Sequence, residues 1–311
     1  MDLLVSQAIL AAPLFLMVLV GYLAMKLFRW PVKVAAVASK LVFTVAIPML
    51  LFHWMSDFSR FPPADARILV AFFGGCLVVF FVGRWAGMRF LGVDKSSGAI
   101  LGIGGVFSNN IMLGLPLSQI LLGAAAVPTV ALVLVFNALI LWSLVTVAIE
   151  WARHGALSWK GLVKTLVHVT ANPIIVAIGL GTAWGFTGWK LPLVVDIPLG
   201  WVGQAAGPLA LLTLGMGLAG YKIGGEKRLT ASLVVLKLVA HPLAVWAMAA
   251  LLGLPSLETR VLVLLSSLAM GANVYLMARQ FATMEVPVSQ ALLLTTALSA
   301  VTTPIFLAVV P

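Results

Sequence analysis

The chain has 311 residues, of which 62% are hydrophobic and 9% charged, and its formal net charge is +10. That leaves too little polar surface to cover a water-soluble globule of this length, so lipid is the solvent for most of it. In a soluble protein the positive balance would suggest nucleic acid. Here Lys and Arg cluster in short segments between apolar runs, which favours membrane topology over nucleic acid as the explanation.

The first apolar run, 3–25, begins after Asp2 instead of a basic segment and is long enough to span, so it reads as a retained helix and not a signal peptide. Further spans are predicted at 34–55, 68–85, 98–122, 127–148, 166–186, 199–218, 229–252, 261–277 and 288–310, giving ten in all. No connection between them is long enough for a soluble domain. The single cysteine, Cys76, lies in an apolar run, so neither a disulfide framework nor a cysteine-based metal site is available.

Thirteen of the nineteen Lys and Arg residues fall in the odd-numbered connections or, like Arg84, at the span edge beside them, four in the even ones and two deeper within spans. The positive-inside rule then places the odd connections in the cytoplasm and both termini outside, in a cell inner membrane. Sliding the chain against itself by about 160 residues superposes Pro13 on Pro173, Pro31 on Pro192, Pro48 on Pro208 and Pro128 on Pro287. Because five spans is an odd number, the second half would enter the membrane from the opposite side. The expected fold is therefore all-α and polytopic, with repeats at 1–150 and 161–311 related by inversion.

The fourth span carries Gly102, Gly104, Gly105, Ser108, Asn109, Asn110, Gly114 and Pro116; its register partner, the ninth, carries Ser266, Ser267, Gly271, Ala272 and Asn273. Non-helical backbone at membrane depth is tolerated only where protein buries it or a wet cavity adjoins it. Two interrupted spans at matched positions therefore point to a solute site. If both helices break and cross, their half-helix N-termini would aim unpaired N–H groups at the midplane, which suits a carboxylate. The alternative is that the glycines permit close packing and the asparagines join helices. Pro48 and Pro208, matched in the second and seventh spans, are either ordinary kinks or shape the same cavity.

Lys237 and His241 are one turn apart on the eighth span and share a face. Lys237 enters about 12 Å into that span, within snorkelling reach of the interface. His241 is deeper and is a candidate for proton coupling or for a structural hydrogen bond. Lys40 reads as a snorkelling anchor near the start of the second span. No Asp or Glu occupies the middle of a predicted span, which argues against a cation exchanger built on paired carboxylates. The sequence contains no zinc-helix, nucleophile-elbow or Walker A pattern, so neither enzyme nor ATPase is indicated and no cofactor is expected.

Four segments, SKLVFTVAIPMLLF (39–52), FSNNIMLGLPL (107–117), ANPIIVAIGLG (171–181) and LKLVAHPLAVW (236–246), together resemble the auxin efflux carrier family, whose bacterial members include malonate and other organic-acid permeases. The resemblance spreads over both halves. It implies a ten-helix inverted repeat similar to the bile-acid symporter architecture, in which helices 4 and 9 cross at broken points and a scaffold half moves against a transport half. It places the crossover at Asn109, Asn110 and Pro116 in one helix and at Ala272 and Asn273 in the other. The ninth span lacks the crossover proline of the plant members, and their long cytoplasmic loop is missing.

The function expected is secondary transport of a small organic anion, such as malonate, by alternating access. Asn109, Asn110, Asn273, Ser108 and Ser267 are the candidate ligands, and Pro116, Gly114, Gly271, Ala272, Pro48 and Pro208 shape the crossing. Lys237 and His241 are candidates for coupling, the ion being H+ or Na+. Membrane lipid surrounds the protein and a homodimer is an admissible assembly. A passive channel would use the same polar crossing.

Overall fold

The computed structural model describes residues 2–57, 65–154, 171–221 and 227–311. Lys160, Lys164, Lys222, Arg60 and the expected starts of the sixth span and second repeat lie outside them. Regular structure in the described residues is helical: α1 (Asp2–Leu27), α2 (Val32–Leu41), α3 (Ile47–Met55), α4 (Ala66–Phe90), α5 (Lys95–Val106), α6 (Leu115–Leu122) and α7 (Val127–His154) come first. After them come α8 (Pro173–Phe186), α9 (Leu193–Leu218), α10 (Lys227–Val235), α11 (His241–Leu251), α12 (Ser256–Ser267), α13 (Ala272–Gln280) and α14 (Glu285–Val309). Six helical segments of the described residues are long and apolar enough to cross a membrane: Ile9–Leu27, Val32–Met55, Ala66–Phe90, Leu193–Leu218, Lys227–Leu251 and Glu285–Val309. Their apolar side chains can face lipid because each helix satisfies its own backbone hydrogen bonds.

Two of these runs pass through a widened π turn, at Val42–Ala46 and Leu236–Ala240, and a third π turn, Asn110–Gly114, opens the shorter apolar helix Asn110–Leu122. In each case a proline follows after one intervening residue: Pro48, Pro116 and Pro242. Proline offers no N–H to the carbonyl four residues back and its ring crowds that carbonyl, and a wider turn relieves both. Pro208 behaves differently, lying inside the uninterrupted α9.

Packing divides the helices into two groups. In the first, α1 lies along α9, α3 lies along α8, and α9 also touches α2 and α3. A Cβ at Gly21 would collide with the Leu212 carbonyl and one at Gly215 with the Val18 carbonyl, so α1 and α9 meet backbone to backbone. In the second group α4 packs on α5 and α11, α7 on α5 and α12, and α14 on α10, α12 and α13. The groups meet where α1 touches α14 and α6, and where α9 touches the π turn at Asn110–Gly114.

Candidate functional site

The fourth span breaks between α5 and the π turn. Asp94 starts α5, its carboxylate accepting from the Ser96 and Ser97 N–H groups. Phe107 then leaves helical geometry (φ −81°, ψ 99°), and Asn109 (φ −80°, ψ 59°) starts the next turn. The Asn109 side-chain oxygen accepts from the Met112 N–H at 3.3 Å, and its carbonyl accepts from the Leu113 and Gly114 N–H groups at 3.1 Å each. Asn109 thus caps the second half-helix, which is what a short amide does best.

The ninth span breaks without a proline. α12 ends at Ser267, Leu268 turns out at φ −66°, ψ 164°, and Gly271 (φ −75°, ψ 142°) leads into α13. The non-helical residues therefore precede Ala272, the first residue of α13, so Ala272 and Asn273 sit on the half-helix just past the break.

The two breaks pair with each other. The Asn109 N–H donates to the Ala269 carbonyl at 2.9 Å and the Gly271 N–H to the Phe107 carbonyl at 2.8 Å, around an antiparallel bridge of Ser108 and Met270. A Cβ at Gly271 would stand 3.0 Å from the Ser108 carbonyl oxygen, so glycine permits the approach. Two half-helices end at this crossing and two begin, bringing opposed dipole ends together.

Side chains on α14 complete the satisfaction of the second break. Thr295 accepts from the Met270 N–H at 3.1 Å while donating to the Ala291 carbonyl, and Thr303 donates to the Ser267 carbonyl at 3.1 Å. Ser267 Oγ lies 2.9 Å from the Leu264 carbonyl and 3.2 Å from Thr303 Oγ1. Lys237 does not snorkel: it is fully buried, donating to the Ser266 carbonyl at 2.6 Å and reaching His241 Nδ1 at 3.3 Å. His241 Nε2 lies 3.3 Å from Cys76 Sγ.

Against this satisfied background, Asn110 stands apart. It is 2% exposed, yet neither its amide nitrogen nor its amide oxygen has a hydrogen-bond partner, and Ser108 Oγ, also buried, has none. Unpaired buried amides are costly, which makes Asn110 the candidate ligand of this crossing. Asn137, buried on α7, leaves its Oδ1 unpartnered as well, and α7 packs against the π turn of Asn110. Asn273 is half-buried in the first turn of α13, where backbone N–H groups lack intrahelical acceptors. Gly114 faces Leu265 and Leu268 of the other crossing span, and Gly207, beside Pro208, faces the Pro116 ring.

Among the residues whose burial is described, no Asp or Glu is buried, whereas Lys237 and His241 are. The described residues bring no three His, Cys, Asp or Glu side chains together as a metal site. A polar cavity of about 450 Å³ opens elsewhere, at the ends of α3 and α9, lined by Lys190, Trp189 and a His53–Asp196 pair 2.9 Å apart.

The sequence reading missed Thr295, Thr303 and Asn137. The first two belong to a polar stripe, Thr295, Ser299 and Thr303, spaced four apart in an apolar span, and that spacing is a readable signal. Asn137 is a lone amide in a long apolar run and offers no pattern beyond its presence.

Residues 7–307 match the family described as Membrane transport protein. The chain is also 26% identical over 299 residues to a protein of Rhizobium meliloti (strain 1021) named "Putative malonate transporter", covering 94% of this chain and 92% of that one.

Proposed function

Because the chain belongs to the Membrane transport protein family, that of the auxin efflux carriers, we propose that it is a secondary carrier for a small organic anion, of the mono- or dicarboxylate class that includes malonate. The observation that carries this reading is the unpartnered Asn110 amide beside two backbone-paired helix breaks. Asn110 and Ser108 offer donors there, the N–H groups opening α13 with Asn273 offer more, and the absence of buried carboxylates among the described residues removes repulsion. In this reading Asn109 and Ser267 hold the breaks in shape, and Asn137 lines the same space from α7. The name of the Rhizobium relative favours a dicarboxylate.

The ten-span inverted repeat is part of this proposal. Exchange of the two halves turns the α1–α9 pairing into the α8–α3 pairing, and the α4–α5 pairing into that of α11 with α12, as an inverted repeat requires. The group of α1, α2, α3, α8 and α9 then serves as scaffold, and the other group carries the anion across by sliding against it. Both termini face the periplasm, with the basic connections inside.

The test is counterflow of labelled malonate in proteoliposomes. Saturable uptake accelerated by unlabelled malonate on the far side is the expected result. Unitary conductance with no trans-acceleration would identify a channel and overturn the reading.

A further inference from the structure

The buried polar atoms left without partners are not scattered through the bundle. They belong to Ser108, Asn110, Asn137, Ser118, Arg260 and Thr302. Among the described residues none lies on α5 or α13, the half-helices on the inner side of the crossing. Beyond Ser108, Asn110 and Asn137, the set continues outward on α6 with Ser118, on α12 with Arg260 and on the C-terminal part of α14 with Thr302.

Two of these stand together. Helix α6 packs on α12, and Gly114 faces Leu265 across that contact. One turn further out, an antiparallel register sets Ser118 opposite Val261, the chain neighbour of Arg260. The depths agree as well, since Ser118 is eight positions past Asn110 and Arg260 eight before Leu268, about 12 Å in each case.

Both side chains lack an acceptor. Ser118 is 1% exposed and its hydroxyl has no partner; Arg260 is half-buried, its Nε is shielded from solvent without a partner, and no ion pair of the described residues includes it. Arg67, another arginine of the even-numbered connections, shows the contrast: it pairs with Asp65 at 2.6 Å and donates to the Leu252 carbonyl at 3.2 Å. Glu258 is two residues from Arg260 on the same helix and so faces another way. A guanidinium can only donate, and its planar fork matches a carboxylate.

We propose that Arg260 and Ser118 form a second anion station on the outer side of the crossing, where a small carboxylate is held on its way to or from Asn110. The proposal rests on the carrier reading above and on its orientation. A separation of about 12 Å is more than malonate can span, so the two stations hold an anion in succession or hold two anions. The inner half-helices offer no counterpart, which makes the station one-sided.

The test is labelling of Ser118→Cys from the periplasmic side with anionic and neutral methanethiosulfonate reagents, the native Cys76 being buried. The anionic reagent is expected to react, and malonate to slow it, both in the otherwise wild-type chain and with Asn110→Ala added. Arg260→Gln is expected to abolish that protection and to lower the anionic-to-neutral rate ratio at least about tenfold, while Arg260→Lys keeps most of it. A thiol inert from outside, protection that vanishes with Asn110→Ala, or protection and rate ratio indifferent to Arg260→Gln would each overturn the proposal. If Arg260→Gln does not fold, malonate protection in the Asn110→Ala background decides. Intact counterflow without protection would overturn the outer station alone, whereas protection without counterflow would leave the station and overturn the carrier reading.

Discussion

The two breaks meet as partners but are held by different means. The first is capped from within: Asn109 satisfies Met112, the wide turn accommodates Pro116, and Asn110 and Ser108 are left without partners. The second, lacking a proline, is propped from outside by Thr295, Thr303 and Lys237 of neighbouring spans. A self-capped break can spare polar side chains for a ligand, while a propped one consumes its neighbours' polar groups to keep its own backbone satisfied. On this account the first break carries most of the recognition and the second most of the mechanical dependence on the rest of the bundle.

That contrast is open to mutation. The largest effect belongs to Asn110→Ala, which should weaken apparent malonate affinity by about 10–100-fold, the worth of a hydrogen bond to a charged group. Thermal stability without ligand should hold or rise, because no protein partner is lost. Thr295→Val should do the reverse, orphaning the Met270 N–H and lowering stability by about 1–3 kcal/mol in a denaturation assay, with affinity less affected. Asn109→Ala removes a cap and should cost about 1 kcal/mol.

Smallest is Asp94→Ala, at about 0.5–1 kcal/mol for an exposed cap. Hydrogen bonds, that of the Ser97 side chain foremost, hold the Asp94 carboxyl below its usual range. Folding depresses this pKa, so the cap stabilises at neutral pH and fades as the pH falls below about 4. Thermal melts at pH 7 and pH 3.5 should show the wild-type advantage over Asp94→Ala shrinking on acidification.

The same asymmetry governed what the sequence made legible. The Gly-rich stretch with Ser108, Asn109 and Asn110 announces the first break, because helix-weakening residues and amides are rare in an apolar run. The family resemblance puts the second break at Ala272 and Asn273, whereas the chain leaves the helix at Leu268 and re-enters at Ala272. Nothing local marks Leu268, Ala269 or Met270, whose geometry depends on Thr295, Thr303 and the Phe107 carbonyl from other spans. Lys237 was likewise open to a snorkelling reading, since its depth is computable from the sequence but the carbonyl that receives it is not. The long apolar helices themselves were plain from hydropathy.

The central claim, that an organic anion occupies the space beside the unpartnered Asn110 amide, has a direct test in cysteine protection. The one native thiol, Cys76, is buried, so Asn137→Cys on α7, which leaves the Asn110 amide in place, introduces a distinguishable target. An anionic methanethiosulfonate reagent should label that thiol, and malonate should slow the labelling in proportion to its occupancy. Labelling at the same rate with saturating malonate as without it would contradict the account.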